Sequence, residues 1–375
     1  MNEAAPSTDF HLSYIPALDG MRGFAVLLVV LFHSKFINGG YFGVDIFFVL
    51  SGFLITSLII REWTITDNVD LRKFYLRRVR RLSPALIAVL VAACLYETLY
   101  FPYPGVENIF IRSFYALSYF ANWVWAFQPS ENPLGSLNGL WSLSIEEQFY
   151  IIWPAILIFF LRRRISLTFI AILLLLTLTA AVGHRYLLWE AGAHSFRLYA
   201  GTDSHADPIL IGCLIGVLAR GVSLRTWELI RPWLAATVPF VMIALVTITV
   251  GFSFPSESIF YSTIVALLSG ILILCVTVAP AKVALAAFGC PFMIWLGKIS
   301  YGLYLWHGIS NQYLMTHNIM EFRAGRIAIG LILAVGSYYF IERPFLRNKL
   351  GCGELDGKAL ATHGQLRPAG EIIVS

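Results

Sequence analysis

Three ionisable residues within one hydrophobic stretch are of the types that acid–base and anion-binding chemistry uses. Arg22, His33 and Asp45 lie in the segment 15–56, which otherwise reads as two membrane-crossing helices joined by a Gly39-Gly40 turn. Eleven helical steps separate Arg22 from His33, which is about 16.5 Å at 1.5 Å per residue. Asp45 follows the turn by about as many residues as His33 precedes it. The imidazole and the carboxylate are therefore predicted to lie at similar depth.

These three groups have two interpretations. A charge at membrane depth costs roughly 2.5 to 3.5 kcal/mol and usually faces a cavity lined by protein, which favours a functional site. In the structural alternative, Arg22 snorkels to the inner interface, and His33 and Asp45 satisfy each other near the outer one. The three residues taken together, with the motifs below, favour the functional cavity.

A pair of adjacent glutamates lies early in another apolar span, which reads LWSLSIEEQFYIIWP over 140–154. Glu146 and Glu147 point about 100° apart on a helix, so only one of them can face the same cavity as His33. The alternative, carboxylates that cap a helix start, fits poorly because Trp141 already lies within the apolar run. We assign Trp141 to the lining of the predicted cavity.

Two further polar clusters belong to predicted spans, one within the span 290–314 and one at the start of the span 204–220. In SYGLYLWH, Tyr301, Tyr304 and His307 recur every three residues, so they share one helix face that rises to the level of His33. Such a stripe either lines the cavity or seals one helix against another. The cluster DSHADP at 203–208 reads as ordinary helix capping or as a contact to an acceptor substrate.

A basic loop follows the second span and reads LRKFYLRRVRRLSPAL, with six basic residues in ten positions from Arg72. Such a loop either sets topology and contacts anionic lipid, or binds a polyanionic ligand on the cytoplasmic face. Arginine suits forked contact with phosphate, and Arg78 and Arg80 lie beside the inner mouth where Arg22 emerges. The absence of GxxxxGK[ST] and GxGxxG motifs argues against a nucleoside triphosphate or a Rossmann cofactor.

Composition identifies an integral membrane protein. The 375-residue chain is 58% hydrophobic and 13% charged, with a mean hydropathy of +0.73, so a soluble core could not bury its apolar surface. The five cysteines have no paired spacing, which predicts neither a disulfide framework nor a metal site. We predict an all-α fold with about ten transmembrane helices around a central cavity, at 16–37, 41–61, 82–101, 139–161, 165–185, 204–220, 231–252, 257–280, 290–314 and 322–345.

Charge distribution predicts the topology. Cytoplasmic termini place most of the 27 Lys and Arg residues in cytoplasmic loops, as the positive-inside tendency requires. This holds only if the apolar segment 108–127 stays on the outer face without crossing. The start of the chain lacks the features of a cleaved signal peptide, so the first helix is expected to remain. We divide the chain into a cytoplasmic segment (1–14), a membrane domain (15–346) and a disordered cytoplasmic tail (347–375).

Six motifs in order along residues 14–346 resemble the acyltransferase-3 family of membrane-bound O-acyltransferases, which modify cell-surface and secreted glycans. They are LDGMRGFAVLLVVLFH, GGYFGVDIFFVLSGFLIT, FYLRRVRRLSPAL, WSLSIEEQFYIIWP, SYGLYLWH and IERPF. In that family a basic residue precedes a histidine by eleven positions in the first span, here Arg22 and His33. The family's Arg-x-Arg motif falls on Arg78 and Arg80.

The resemblance implies a multi-pass enzyme of the cell membrane that uses acyl-CoA, by default acetyl-CoA, as co-substrate and holds no permanent cofactor. Its acceptor would be a glycan or a lipid-linked glycan; lipopolysaccharide, exopolysaccharide, a lipo-oligosaccharide and a macrolide sugar all stay open. Membrane lipids are expected partners and nucleic acid is not. Some members carry an appended esterase-like domain that this chain is expected to lack, so a separate extracytoplasmic partner protein could supply that role.

Acyl transfer to a hydroxyl needs a base, and His33 has the suitable side chain. By hypothesis, Asp45 orients its imidazole. Donor phosphates would rest against Arg22, Arg78 and Arg80, while Glu146 or Glu147, with His307 and the tyrosine stripe, would either line the acceptor end or shape the cavity. Two rivals are a proton-coupled transporter, which the lack of evident internal repeats disfavours, and a non-catalytic scaffold or sensor.

Overall fold

A computed structural model describes residues 14–100, 108–128, 134–251, 259–316 and 323–347, and these residues form helices and turns without a β-strand. The first eight helices are α1 (Pro16–His33), α2 (Gly43–Thr66), α3 (Leu71–Tyr100), α4 (Ile109–Leu117), α5 (Ala121–Phe127), α6 (Leu140–Arg162), α7 (Leu167–Glu190) and α8 (Ser195–Ala200). They are followed by α9 (Asp207–Gly221), α10 (Leu224–Gly251), α11 (Ile259–Thr277), α12 (Lys282–Phe288), α13 (Pro291–Lys298), α14 (Ser300–Thr316), α15 (Arg323–Ser337), a π-helical turn (Tyr338–Glu342) and α16 (Arg343–Arg347). The predicted all-α class is confirmed.

Eight helical segments in the described part of the chain are long and apolar enough to cross a membrane. They correspond to α1, α2, α3, α6, α7, α10, α11 and the segment from α15 into α16. The other two predicted spans have different shapes. The span at 204–220 contains α9, with 15 residues, and the span at 290–314 is divided at Ile299 into α13 and α14.

The apolar segment 108–127 forms two short helices, α4 and α5, of nine and seven residues. They are separated near Tyr119, whose φ of 56° lies in the left-handed region. Because a helical crossing needs about 20 residues, neither helix spans the bilayer. This agrees with the predicted placement on one face. The predicted segments 1–14 and 347–375 lie, apart from their junction residues, outside the described residues.

Contacts between loops define the two ends of the bundle. At one end, the Arg164 guanidinium after α6 lies 2.7 Å from the carboxylate of Asp67 after α2. We call this the inner end, since both loops are predicted to be cytoplasmic. At the other end, Arg323 donates to the Lys35 carbonyl oxygen over 3.0 Å, beside His33. We call this the outer end.

Helices α2 and α9 pack backbone to backbone through glycine. A Cβ atom on Gly212 would overlap the Val49 carbonyl oxygen, and one on Gly52 would overlap the Ile209 carbonyl oxygen. In a membrane, where lipid is as apolar as leucine, small residues allow the close approach that gives helices their packing energy. The seam therefore holds α2, which carries Asp45 and Ser51, at a defined depth.

We expect Gly212→Val to destabilise the protein strongly. The new side chain meets backbone of α2, which cannot move aside as a flexible side chain can, so the apparent Tm in detergent should fall by roughly 5 °C or more. Gly183→Val is the matched control, because nothing lies within 4 Å of a Cβ there. Equal thermal stability of the two variants would contradict the seam.

Candidate active site

A polar cavity opens between α1, α2, α3, α6 and α14. The cavity has a volume of about 630 Å³, which includes the open space at its mouth. The residues predicted from the sequence that line it are Arg22, Arg78, Glu146, Tyr301 and Tyr304. The sequence motifs of five separate helices thus meet at one site.

Three guanidinium groups line the inner part of this cavity. Arg22 is only 8% exposed and its Nη1 lies 3.6 Å from Oδ1 of Asp19. The Arg78 guanidinium lies 4.5 Å from the centre of the Tyr150 ring, and Arg81 completes the group. An interior with three cations and few carboxylates is an environment that binds a polyanion.

The Arg-x-Arg motif is not used as predicted. Arg81 lines the cavity together with Arg78, while Arg80 does not. Residues three apart share a helix face, whereas Arg80 points about 200° away from Arg78 around the axis. The second arginine that α3 contributes to the cavity is therefore Arg81, which was not predicted from the sequence although it lies one helical turn beyond Arg78.

The structure shows which member of the glutamate pair faces the cavity. Glu146 accepts a hydrogen bond of 2.7 Å from the Ser51 hydroxyl, which in turn accepts one of 2.9 Å from the Tyr150 hydroxyl. Glu147 does not line the cavity. Ser51 and Tyr150 were not predicted from the sequence. The feature that could have identified Ser51 is its position as a single hydroxyl residue within the apolar run FFVLSGF.

Neutralising Glu146 is expected to tighten the binding of a polyanion. Glu146→Gln removes the negative charge among three arginines, so the KM for a phosphate-bearing donor should fall by roughly threefold to tenfold, equivalent to about 1 kcal/mol of Coulomb interaction. Glu147→Gln makes the same side-chain change at the neighbouring position, which does not line the cavity, and should shift this KM less. Reaction rates of the purified variants at varied donor concentration measure this KM for both. An equal shift of the KM in both variants would show that the charge of Glu146 has no particular effect on the donor in the cavity.

Tyr304 connects the cavity to two histidines at the outer end. Its hydroxyl lies 2.5 Å from the Ser142 hydroxyl and donates to the Gly139 carbonyl oxygen over 2.9 Å. The Tyr304 and His307 rings are 5.4 Å apart between centres, and the His307 and His33 rings 4.8 Å. The stripe predicted on α14 thus leads from the cavity to His33.

Tyr301 has both of the roles that the sequence left open for the tyrosine stripe, lining the cavity and sealing one helix against another. Its ring lines the cavity, while its hydroxyl donates to the Leu82 carbonyl oxygen of α3 over 2.9 Å. The bond ties α14 to the helix that carries Arg78 and Arg81. Tyr301 therefore seals two helices together and shapes the site at the same time.

Backbone carbonyls determine which ring nitrogen of each histidine can act as a base. Nδ1 of His33 lies 2.9 Å from the Val29 carbonyl oxygen, and Nδ1 of His307 lies 3.2 Å from that of Leu303. Carbonyl oxygen only accepts, so each Nδ1 carries the hydrogen, and Nε2 is the nitrogen that can take up a proton. His33 is exposed at the end of α1, whereas His307 is buried.

Asp45 does not orient His33 as predicted. Its Oδ1 lies 2.7 Å from Nε2 of His205, and both side chains are fully buried. The described residues show no hydrogen bond between Asp45 and His33, because the Asp45 carboxylate is directed at His205, in the turn before α9. The Val29 carbonyl oxygen orients His33 instead.

Trp141 also has a different role from the one predicted. Its side chain is buried and is not part of the cavity lining. Its ring lies nearly parallel to that of His205, with an interplanar angle of 16° and 6.1 Å between centres. Trp141 therefore supports the Asp45–His205 pair from α6.

A buried ion pair between Arg185 and Asp207 reinforces this region. Arg185 donates to both carboxylate oxygens of Asp207 over 2.8 and 3.1 Å, and Thr263 donates to the same carboxylate. The pair joins α7, α9 and α11, so Asp207 of the DSHADP cluster is structural. In the sequence, Arg185 is a single cation near the end of an apolar span, and this position could have identified it as a buried partner of a carboxylate.

A larger cavity on another face of α6 does not take part in this site. It is lined by apolar side chains with three uncharged polar ones, Gln148, Thr177 and Thr202, and it contains no ionisable residue. It lies where α6, α7 and α9 meet. Without an acid, base or charged group, it cannot perform proton transfer or bind a polyanion.

Comparison with known proteins gives a family and several relatives. The chain matches the family described as "Acyltransferase domain" over residues 15–342. YrhL of Bacillus subtilis strain 168 is 36% identical over 361 residues, which cover 89% of this chain and 55% of YrhL. The peptidoglycan O-acetyltransferase OatA of Listeria monocytogenes is 32% identical over 369 residues, which cover 91% of this chain and 57% of that protein.

The O-acetyltransferase OatA of Staphylococcus aureus is 29% identical over 347 residues, which cover 88% of this chain and 57% of that protein. The chain thus spans about half the length of the curated relatives it matches. No solved structure matches it. With the family match covering nearly the whole membrane part, the chain is a multi-pass protein of the cell membrane and belongs to the acyltransferase-3 family.

Proposed function

We propose that the protein is a membrane O-acyltransferase that moves an acyl group, by default acetyl, from cytoplasmic acyl-CoA to a hydroxyl of a glycan on the extracytoplasmic side. One observation carries this proposal. A single cavity is lined by three arginines and by Tyr304, whose ring contacts His307, and the His307 ring contacts His33. Neither histidine lines the cavity itself, so the two rings continue the line of polar side chains beyond it. Family membership and the names of the relatives support the reaction class.

The donor would bind at the arginine end. Acyl-CoA carries several phosphate groups, and guanidinium groups hold phosphate through forked, charge-assisted hydrogen bonds. Arg22, Arg78 and Arg81 would hold these phosphates, while the pantetheine arm extends along α1 towards His33. The helix rise between Arg22 and His33, about 16.5 Å, is the distance that the arm must cover.

The transfer would use His33 as the general base. Nε2 of His33 takes the proton of the acceptor hydroxyl as the hydroxyl oxygen attacks the thioester carbonyl carbon. The carbon–sulfur bond then breaks, an ester forms on the glycan, and the proton passes from the imidazolium to the departing CoA sulfur. The Val29 carbonyl oxygen keeps the imidazole in the required tautomer, and the neighbouring His307 ring restricts its orientation.

The acceptor is a glycan hydroxyl, and peptidoglycan is the first candidate because the Bacillus subtilis and Listeria monocytogenes relatives are both named for it. The exposure of His33 at the outer end supports an acceptor that approaches from outside the membrane. The buried charges that a transporter would also need are here paired within the protein, as Arg185 is with Asp207.

Proteoliposomes test the proposal. Purified protein is reconstituted with soluble peptidoglycan fragments inside and acetyl-CoA labelled in the acetyl group outside, and the fragments are analysed by mass spectrometry. We expect base-labile acetyl esters that require both substrates and the protein. Absence of both acetyl transfer and acetyl-CoA hydrolysis would overturn the proposal, and glycan flux without acetyl-CoA would favour a transporter.

A further inference from the structure

The outer end carries an aromatic surface that the catalytic proposal does not use. Trp123 and Phe127 of α5 stack with an interplanar angle of 16° and 5.7 Å between ring centres. The Arg197 guanidinium from α8 lies 5.6 Å from the Trp123 ring centre and 5.3 Å from that of Phe127. Phe127 is 65% exposed, so part of this aromatic pair is open to its surroundings.

The guanidinium beside the aromatic pair is held in place. Arg197 donates to both carboxylate oxygens of Asp203 over 2.8 and 2.6 Å, and Nε2 of His184 lies 3.1 Å from the same carboxylate. The side chain of Asp203 remains 38% exposed. Partial desolvation opposes its ionisation, but Arg197 and His184 outweigh this and lower the pKa of Asp203 below its usual value. The surface therefore presents a fixed carboxylate next to aromatic rings.

Ring contacts connect this surface to the catalytic end. His33 contacts the Phe32 ring at 5.0 Å between centres, and Phe32 contacts Tyr41 at 5.3 Å. Tyr41 contacts Tyr199 of α8 at 5.9 Å, and Tyr199 contacts Trp125 of α5 at 6.4 Å. Four ring contacts thus lead from His33 to Trp125 of α5, the helix that also carries the aromatic pair, and both lie at the outer end of the molecule.

A membrane-interface role is the simplest alternative, since tryptophan and tyrosine are enriched at helix ends near lipid headgroups. Such anchors need only one apolar side and one polar side. Here the rings are stacked on each other and lie against a guanidinium that Asp203 holds through two hydrogen bonds, with His184 in turn holding Asp203. A rigid arrangement of this kind lowers the entropy lost on binding, which is a property of a ligand site.

We propose that Trp123, Phe127, Arg197 and Asp203 form a subsite for a pyranose ring of the glycan acceptor. The C–H groups on one face of a sugar ring carry partial positive charge and pack on the negative face of an aromatic ring. The exposed carboxylate accepts hydrogen bonds from sugar hydroxyls. The inference rests on the proposed function and adds to it where the acceptor chain lies while a neighbouring sugar reaches His33.

Acceptor kinetics and direct binding together test the subsite. For Trp123→Ala and Phe127→Ala we expect the KM for peptidoglycan fragments to rise about tenfold. The KM for acetyl-CoA and the rate of acetyl-CoA hydrolysis should stay at wild-type values. Trp123→Phe keeps a flat ring and should recover most of the affinity. Phe120→Ala is the matched control, because Phe120 is 51% exposed beside α5 but outside the stacked pair.

Equilibrium dialysis of the fragments without acetyl-CoA separates the subsite from the reaction. A weaker dissociation constant in Trp123→Ala, with Phe120→Ala unchanged, supports the subsite even if transfer chemistry fails. Wild-type fragment binding in Trp123→Ala and Phe127→Ala would overturn it. So would lower thermal stability in those variants with unchanged acceptor affinity, because lipid anchoring predicts that pattern.

Discussion

Replacement of His33 by alanine is expected to lower the rate of acyl transfer by a factor of about 10² to 10⁴, the contribution typical of a positioned general base. The variant keeps the arginines that would hold the donor, so the dissociation constant of acyl-CoA should stay at the wild-type value. Mass spectrometry of glycan esters and calorimetric titration with acyl-CoA measure the two quantities. Loss of rate without loss of donor affinity is the pattern that a chemical role for His33 predicts and a donor-binding role does not.

Chemical rescue sharpens this experiment. Because His33 is exposed at the outer end, imidazole added to His33→Ala can reach the vacated space and should restore part of the rate. His307→Ala is the comparison, since its ring lies 4.8 Å from that of His33. If His33→Ala transferred acyl groups at the wild-type rate while His307→Ala did not, the base would be His307.

Removal of two cavity arginines is expected to weaken donor binding strongly. Each charged hydrogen bond to phosphate contributes about 1.5 to 3 kcal/mol, so Arg78→Ala with Arg81→Ala should raise the dissociation constant of acyl-CoA by about 100-fold or more. The double variant Arg77→Ala with Arg80→Ala is the control. It removes the same charge from the same helix, but neither residue lines the cavity.

The comparison separates ligand binding from topology. If the basic loop serves only membrane orientation or contact with anionic lipid, both double variants should behave alike. Equal acyl-CoA affinity in the two double variants would therefore show that Arg78 and Arg81 do not bind the donor. Protein levels in membranes, measured for both, show whether either double variant disturbs insertion.

Most of the fold could be predicted from hydropathy and from the distribution of charged residues. Apolar segments of spanning length identified the membrane helices, and the positive-inside tendency correctly kept 108–127 from being counted as a crossing. The division at Ile299 was not anticipated, because hydropathy averages over a short interruption. There Pro291 begins α13, and Gly297 lies directly against the Asp19 backbone of α1. That contact depends on tertiary packing, which periodicity does not report.

Residues of the site could be predicted where spacing along one helix places them. Contacts between side chains of different helices could not be predicted in the same way. Arg22, Glu146 and Tyr304 line one cavity, and the tyrosine stripe leads to His33, as helical spacing indicated. The partner of Asp45 could not be deduced, because His205 lies 160 residues away and similar depth is shared by many groups. Depth along a helix is readable from sequence, but the direction of a side chain around the bundle is not.

The distance in sequence between Asp45 and His205 has a consequence for biosynthesis. Asp45 emerges from the ribosome with the second helix, whereas its partner is synthesised 160 residues later. An unpaired carboxylate in hydrocarbon costs roughly 2.5 to 3.5 kcal/mol, so the nascent α2 should remain shallow or stay beside the insertion machinery until α9 arrives. Nascent chains that stop before His205 should therefore leave residue 45 accessible to water-soluble labels, and full-length chains should protect it.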